Sequence, residues 1–278
     1  MTGQRRLSVG LVVFYAILVF FAVLYLFPFL IQLGTAFKTD VDSTTHPLNP
    51  VPQHWTTAAF SQLASANYPR WFLNSAVVAV SVTVARVFFD SLAGYALSRL
   101  TFRGRGALFG ALIAVMAVPG VVLLIPKFLV LNQLGMYNSY AGMIIPLIVD
   151  AAGVFIMKQF FDSIPVAVEE AARIDGAGVF RTFWSVVLPM AKPALLTLTI
   201  LSFQGSWNEL PHFIVATSDP SLFTLTKGTA NLLSGGLGSG NRFPLKMAAG
   251  LIMTIPVAVV FFVFQKRLMA GANAGAEK

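Results

Sequence analysis

The feature that most constrains this chain is an uninterrupted apolar run near its N-terminus. Residues 7–37 include no charged side chain. The apolar region of a secretory signal peptide is about 7–15 residues long, whereas a membrane-spanning helix needs about 20. Because the run is too long for a signal peptide and no small-residue cleavage site closes it, we interpret it as an uncleaved first span. The Arg5-Arg6 pair before it is expected to be a cytoplasmic anchor.

Comparable apolar runs recur to the end of the chain. The sequence is 56% hydrophobic and 11% charged, whereas soluble domains have about 25% charged residues. Lipid is therefore the expected solvent for most of the protein. The pattern predicts an all-α membrane protein with a single transmembrane domain over residues 1–278. Its six transmembrane helices are predicted at about 11–35, 72–97, 106–125, 139–160, 194–216 and 246–265.

The distribution of Lys and Arg predicts the orientation of these spans. With the N-terminus inside, the inner loops hold about twice as many Lys and Arg residues as the outer loops. We therefore expect both termini in the cytoplasm. The net charge of +8 does not indicate nucleic acid, because the basic residues lie between apolar runs and form no face with interleaved aromatic residues.

Two predicted outer segments are longer than simple turns. Residues 38–71 combine several prolines with Trp55 and Trp71, a composition typical of an ordered loop that abuts the membrane. Residues 218–244 end in a glycine-rich stretch. Glycine gives the backbone freedom, so this segment is either a flexible linker or a loop that reaches toward an external partner.

The longest and most charged inner connection is the loop of residues 162–192, between the fourth and fifth spans. Its pattern predicts a helix over residues 166–174, with Ser163 as the N-cap. Gly176 then allows a sharp reversal, and a second amphipathic helix is expected to end at Pro189. A connection of this length is expected to have a function, because connections in compact proteins are usually about 4–6 residues long.

The charges of this loop decide between two interpretations. An amphipathic helix pair can rest on the membrane surface. Alternatively, the loop docks on another protein, to which its charged cluster offers partners. That cluster consists of Glu169, Glu170, Arg173 and Asp175.

The same loop resembles the EAA loop of binding-protein-dependent ABC importer permeases. The matching positions are Glu170-Ala171-Ala172, Gly176, Val186 and Leu188-Pro189. The resemblance implies a type I ABC importer permease, in which this loop forms a coupling helix that seats in a groove of a cytoplasmic ATPase. The ATPase-coupling residues that it implies are Glu169, Glu170, Ala171, Ala172, Arg173, Asp175, Gly176, Leu188 and Pro189.

Segments outside the loop resemble the carbohydrate group of these permeases, in particular the maltose-type second permease. They are residues 93–99, 102–105, 134–138, 207–209 and the tail from Gln265. The resemblance implies a sugar or oligosaccharide substrate, a second permease subunit and an extracytoplasmic substrate-binding protein or lipoprotein. It also implies two copies of a cytoplasmic ATPase and a bacterial cell membrane as the location.

Ionisable side chains within the predicted spans are functional candidates, because lipid disfavours them. Arg86 and Asp90 are four residues apart on one helix, so they either neutralise each other or contribute to a solute pathway. Asp150 lies near the middle of the fourth span with no partner near in sequence. It needs a partner across the helix bundle or water in a cavity.

The fifth span is predicted to be the most polar. Trp207 offers an aromatic face, and the next two residues offer hydrogen-bonding groups, a combination that suits sugars. Because Pro211 follows at once, these residues alternatively satisfy backbone groups freed by a broken helix. His212 is expected to be a packed histidine. The candidate substrate pathway consists of Arg86, Asp90, Asp150, Trp207, Asn208 and Glu209.

The sequence argues against an enzyme. It contains no cysteine, which excludes disulfides, thiolate catalysis and Cys-ligated metals. His46 and His54 do not have metal-ligand spacing, and neither HExxH nor GxSxG occurs. No GxxxxGK[ST] loop is present, so ATP and Mg are expected on the partner ATPase, and no cofactor or metal on this chain. Two alternatives stay open: a secondary transporter, and an ABC importer permease for a non-sugar such as a glycerol phosphodiester.

Overall fold

A computed structural model describes residues 9–234 and 242–276, and the regular structure of this part is entirely helical. The first half of the chain forms α1 (Val9–Ala36), α2 (Asp40–Thr45), α3 (Ala58–Ser65), α4 (Tyr68–Arg99), α5 (Arg105–Met116), α6 (Leu124–Gln133) and α7 (Tyr140–Ile144). The second half forms α8 (Ala151–Ser163), α9 (Val166–Ile174), α10 (Val179–Thr182), α11 (Leu188–Met190), α12 (Lys192–Asn208), α13 (Pro211–Ala216), α14 (Leu225–Ser234) and α15 (Phe243–Ala276). Short 3-10 helices lie at Gly120–Leu123, Ile145–Leu147 and Pro220–Leu222. The predicted Arg5-Arg6 anchor and residues 235–241 of the glycine-rich segment lie outside the described residues.

The helical content and apolar lengths confirm the prediction of an all-α membrane protein. Among the described residues, four helices are long and apolar enough to cross a membrane, and bent helix pairs raise this number to as many as six. The four are Gly10–Ala36, Tyr68–Arg99, Tyr140–Ser163 and Phe243–Gln265. The bent pairs are Arg105–Met116 with Gly120–Gln133, at 97°, and Val179–Met190 with Lys192–Asn208, at 81°.

Proline accounts for interruptions in two of the predicted spans; the one at Pro211 is the broken helix that the sequence offered as an alternative. Pro119, with a ψ of 126°, lies between α5 and the following 3-10 helix. It has no backbone N–H and disfavours a helical conformation in the preceding residue. The predicted third span, 106–125, therefore contains a sharp bend. The predicted fifth span, 194–216, contains a break between α12 and α13, where Pro211 occupies the first turn of the new helix.

The described residues cluster into two compact units. The first combines residues 9–67 with 231–234 and 242–255. In it, the segment after α1 folds around the buried side chain of Lys38, whose Nζ donates to the carbonyls of His46 and Asn49, each at 2.7 Å. This segment is the ordered loop that the sequence predicted.

The second unit combines residues 68–230 with 256–276. Its central contacts are those of α4 with α8 and α12. A Cβ atom added at Gly94 would lie 2.7 Å from Met157 Cβ and 2.9 Å from Lys158 N. The backbones of α4 and α8 therefore touch at this point, which only glycine permits. An apolar core continues from there along α4, α8 and α12, formed by Tyr95, Met157, Phe161, Ile164, Phe183, Val187, Ala191, Ala194 and Leu198.

Candidate functional site

The loop of residues 162–192 folds as two short helical segments joined by a reversal. Helix α9 begins after Pro165, the N-cap residue, whose ψ of 131° is not helical and whose carbonyl accepts the Val168 N–H at 3.2 Å. It ends in a Schellman motif: Gly176 has a φ of +80°, its N–H donates to Arg173 O at 3.0 Å, and Ala177 N–H donates to Ala172 O at 2.9 Å. The predicted helix over residues 166–174 and the predicted turn at Gly176 are both present.

Two details of the predicted loop were wrong. Ser163 does not cap α9; it ends α8, and its hydroxyl donates to Phe160 O at 2.7 Å. Pro189 does not end the second helix, which continues to Met190. A π-helical turn at Phe183–Val187 precedes this proline. Since a π-turn already shifts the backbone pairing by one residue, the missing N–H of Pro189 disturbs the helix little.

Glu169 attaches α9 to the end of α4. Its carboxylate is 2.9 Å from Arg99 Nε and accepts the Tyr95 hydroxyl at 3.1 Å. The Arg99 side chain is 9% exposed and that of Glu169 is 3% exposed. The sequence grouped Glu169 with charges that face another protein, but the structure directs its charge into this chain. A buried ion pair with an added hydrogen bond makes α9 part of the same body as α4.

Arg99 also holds the end of α8. Its Nη2 donates to the carbonyls of Phe161 and Ile164 at the C-terminal end of α8. The Phe161 carbonyl also accepts the Ile164 N–H, at 3.1 Å. Nearby, Ser98 Oγ donates to Asp162 Oδ1 at 2.6 Å. In the sequence, residues 93–99 carry only a family resemblance, which assigns no role to Tyr95 or Arg99. An aromatic and a basic residue in the last turn of an apolar helix were the available signal.

The outer face of the loop is both charged and apolar. Glu170, Ala171, Arg173, Asp175 and Gly176 are exposed. Next to them, two large apolar side chains are almost fully exposed: Ile174 at 86% and Phe180 at 82%. Exposed apolar side chains rimmed by charges are typical of a protein interaction surface.

The last two coupling candidates, on the second helix, differ in their exposure. Leu188 is partly buried and packs on the apolar core that includes Phe183 and Val187. Pro189 is exposed. Ala172, which the resemblance also assigned to the coupling contact, is buried. The coupling residues that the resemblance implied thus divide into an exposed set and a set that faces this chain, which contains Glu169, Ala172 and Leu188.

Arg86 and Asp90 do not neutralise each other as an ion pair within the described structure. Arg86 Nε instead donates to Leu147 O at 2.6 Å, and Asp90 Oδ1 accepts the Asp150 N–H at 3.0 Å. Asp150 has a partner near in sequence, contrary to expectation: it is the N-cap of α8, and its Oδ2 accepts the Gly153 N–H at 3.2 Å.

The polar residues of the fifth span lie around its break. Trp207 is 2% exposed and stacks on Phe203, with ring centroids 5.7 Å apart. Glu209 Oε1 accepts the His212 N–H at 2.8 Å, and the His212 ring contacts Gly142 O at 3.1 Å. Glu209 and His212 therefore follow the alternative prediction, that of groups which satisfy a broken helix. Asn208 is exposed.

The described residues contain no group of three or more His, Cys, Asp or Glu side chains that could hold a metal ion. The charges of the loop are dispersed along α9 instead of converging on one point. Chemically, the arrangement is suited to contact with a protein partner.

Comparison with known proteins agrees with this geometry. A family described as "Binding-protein-dependent transport system inner membrane component" matches residues 90–272. The chain is 31% identical over 258 residues to the arabinooligosaccharides transport system permease protein AraQ of Bacillus subtilis (strain 168), covering 91% of each chain. It is 34% identical over 256 residues to the sulfoquinovosyl glycerol transport system permease protein SmoH of Agrobacterium fabrum, covering 91% of this chain and 89% of the relative.

Two further similarities extend the comparison. The chain is 31% identical over 270 residues to the sn-glycerol-3-phosphate transport system permease protein UgpE of Yersinia enterocolitica, covering 94% of this chain and 96% of the relative. It matches a solved structure described as a bacterial ABC transporter involved in the import of the acidic polysaccharide alginate. That match has a TM-score of 0.79 at 24% identity and covers 96% of this chain and 99% of the other, which shows a shared fold.

Proposed function

Since the chain belongs to the family of binding-protein-dependent transport system inner membrane components, whose members are importer permeases and not enzymes, we propose that it forms half of a sugar pathway. A sugar or oligosaccharide is the favoured solute because AraQ is named for arabinooligosaccharides. The UgpE relative, named for sn-glycerol-3-phosphate, favours the second candidate, a non-sugar, in the form of a glycerol phosphate ester. Because the chain belongs to this family, the alternative of a secondary transporter no longer applies.

The proposed coupling element is α9 with its outward residues. We place the loop of residues 162–192 in the cytoplasm, where α9 seats in a groove of an ATPase subunit. Glu170 pairs there with a basic group, Ala171 allows close approach of the helix, and Ile174 fills an apolar depression. The observation that carries this proposal is a helix with charged and apolar side chains exposed on one face and a buried ion pair on the other.

The role of Gly176 follows from its backbone. A Cβ atom at this position would meet nothing within 4 Å in this chain. Its positive φ, which side chains other than hydrogen disfavour, is therefore the reason for glycine here. A larger side chain would clash only with a docked partner.

The inward attachment of α9 supplies the mechanism. Through Glu169 and Arg99, a displacement of α9 is passed to α4 and α8. When ATP draws two ATPase subunits together, α9 moves as a rigid lever and tilts these spans, so that the pathway opens outward. ATP and Mg bind to the ATPase subunits, and this chain converts their movement into alternating access.

The proposed assembly contains this chain, a second permease subunit, two copies of the ATPase and an extracytoplasmic binding protein or lipoprotein. Both termini face the cytoplasm of a bacterial cell, and the chain crosses the membrane six times. The segment of residues 218–244 docks the binding protein; deletion of residues 235–241 should weaken that docking without changing ATP binding, whereas unaltered docking would favour a simple linker.

Solute contact in this chain is proposed for Asn208. Among the six pathway candidates it is the one with an exposed side chain in the described structure. Trp207 is buried, and the others bind backbone groups. Uptake of labelled arabinooligosaccharides and of labelled sn-glycerol-3-phosphate is compared between a strain lacking this chain and the complemented strain. The solute whose uptake depends on the chain identifies its class.

The coupling proposal is tested with Glu170→Lys in the complete importer. We expect uptake to fall at least about ten-fold and the ATPase to dissociate during purification, because the substitution places like charges together and loses more than about 1.4 kcal/mol of binding. The matched control is Asp40→Lys, the same charge change at an exposed residue outside the loop. Normal uptake with Glu170→Lys would overturn the coupling role.

A further inference from the structure

The fourth predicted span is interrupted near its middle. The 3-10 helix Ile145–Leu147 ends the first part, and α8 begins at Ala151. A hydrogen bond from Ile148 N–H to Ile145 O, at 3.3 Å, closes the first part, and one from Val154 N–H to Asp150 O, at 3.0 Å, opens α8, so the helical pairing is not continuous through residues 148–150. In lipid each unsatisfied backbone group costs several kcal/mol, so a break at this depth requires partners from elsewhere in the protein.

Both partners come from one face of α4. Arg86 Nε donates to the carbonyl of Leu147, on one side of the break, at 2.6 Å. Asp90 Oδ1 accepts the N–H of Asp150, on the other side, at 3.0 Å. Because residues i and i+4 of a helix are neighbours on its surface, the donor and the acceptor are spaced to span the interruption.

We propose that Arg86 and Asp90 are positioning residues that clamp the break onto α4, so that α4 and α8 move together when α9 is displaced. Without the clamp, the interruption at residues 148–150 would act as a hinge and absorb the movement. The proposal rests on the coupling function above and explains why an arginine and an aspartate lie within a span without forming an ion pair with each other.

The carboxyl group of Asp90 is closely surrounded by the start of α8. Asp90 is fully buried, so no solute reaches it in this conformation. Its Oδ2 lies against the first turn of α8: a Cβ atom added at Gly153 would be 2.1 Å from it. The exposed backbone N–H groups of a helix N-terminus favour an acidic group there. Gly153→Ala would therefore push the carboxyl away from the Asp150 N–H.

The test compares Asp90→Asn with Asp90→Leu in the assembled importer. Asparagine keeps an acceptor oxygen of the same size, whereas leucine removes it. Hydrogen–deuterium exchange is measured on peptides that cover residues 145–156, and uptake and ATP hydrolysis are measured in the same preparation. Gly153→Ala is compared with Gly110→Ala, whose added Cβ meets nothing within 4 Å.

We expect Asp90→Leu and Gly153→Ala to raise exchange at the break about ten-fold, as expected for one lost hydrogen bond. Uptake should fall at least about five-fold while ATP hydrolysis persists. Asp90→Asn and Gly110→Ala should stay within about two-fold of the unmodified protein. If Asp90→Leu does not assemble, Arg86→Lys and Arg86→Met test the same clamp at the Leu147 carbonyl. Lysine keeps a hydrogen-bond donor, so Arg86→Lys should retain uptake, whereas Arg86→Met should lose it.

Two results would overturn the clamp. One is unchanged exchange at the break in Asp90→Leu or, if only the arginine pair assembles, in Arg86→Met. The other is an Asp90→Asn variant as impaired as Asp90→Leu, since that would assign the effect to charge. Glu170→Lys, tested in parallel, separates the two proposals: loss of uptake there with normal uptake in Asp90→Leu leaves the coupling function intact and removes only the clamp.

Discussion

The attachment of α9 to α4 gives the sharpest test of how the loop is held. Arg99→Met removes the guanidinium and leaves the carboxylate of Glu169, 3% exposed, without its ion-pair partner. Breaking a buried pair in this way costs about 3–5 kcal/mol. Because the Tyr95 hydroxyl remains as a donor to Glu169, we expect a value near the lower end, about 3 kcal/mol.

This cost should appear as local opening of α9. Since about 1.4 kcal/mol corresponds to a factor of ten, amide exchange over Val166–Ile174 is expected to accelerate by two orders of magnitude or more. Arg103→Met is the matched control, because Arg103 is an exposed arginine just beyond α4. In the double variant of Arg99→Met with Glu169→Gln, the loss of free energy of local opening should be smaller than the sum of the two single losses, because no buried charge is left without a partner. Exchange in Arg99→Met equal to that of the control would refute the role given to this ion pair.

Three further predictions concern other parts of the fold. Gly94→Ala should lower the free energy of unfolding by about 1–3 kcal/mol in thermal or denaturant unfolding, because the added methyl would lie 2.7 Å from Met157 Cβ; Gly106→Ala, which meets nothing within 4 Å, should be close to neutral, and equal effects would argue against the close approach. Gly176→Ala should destabilise the end of α9 by about 1 kcal/mol because of its positive φ, seen as faster exchange of the last turn, whereas Gly178→Ala, at a φ of −71°, should not. The pKa of Asp42 lies below its ordinary value because its carboxylate accepts the Gln53 N–H. The stabilisation is therefore present above the ordinary carboxyl range and is lost as the pH falls through the lowered pKa. Proteolysis of residues 38–57 should increase below about pH 4 in the native chain and be independent of pH in that range in Asp42→Asn.

Local signals in the sequence were sufficient for the coupling helix. Its observed bounds, Val166–Ile174, are those predicted, because Pro165 and Gly176 mark the two ends through their own backbone preferences. The inward direction of Glu169 was not predictable in the same way. Its partner Arg99 lies far away in the sequence, and only the packing of α9 against α4 brings the two together.

The interruptions within the spans could be predicted only in part from the sequence. A hydropathy window near 20 residues averages over a break of a few residues, so the fourth span appeared continuous. Asp150, followed by the helix that it caps, was a usable N-cap signal. The partners of the break on α4 could not be predicted, since they depend on which face of that helix meets α8.

The side chains of the first helix are under weaker structural constraint than those of the rest of the chain. The most apolar window of Gly10–Ala36 is 0% buried, so no neighbour in the same chain imposes a shape on its side chains. Substitutions among leucine, valine and phenylalanine there should change the free energy of membrane insertion little. A charged residue at the centre of this helix would cost about 2.5–3.5 kcal/mol. The family match begins only at residue 90. In relatives, the sequence of this helix should diverge rapidly while its hydrophobicity is preserved.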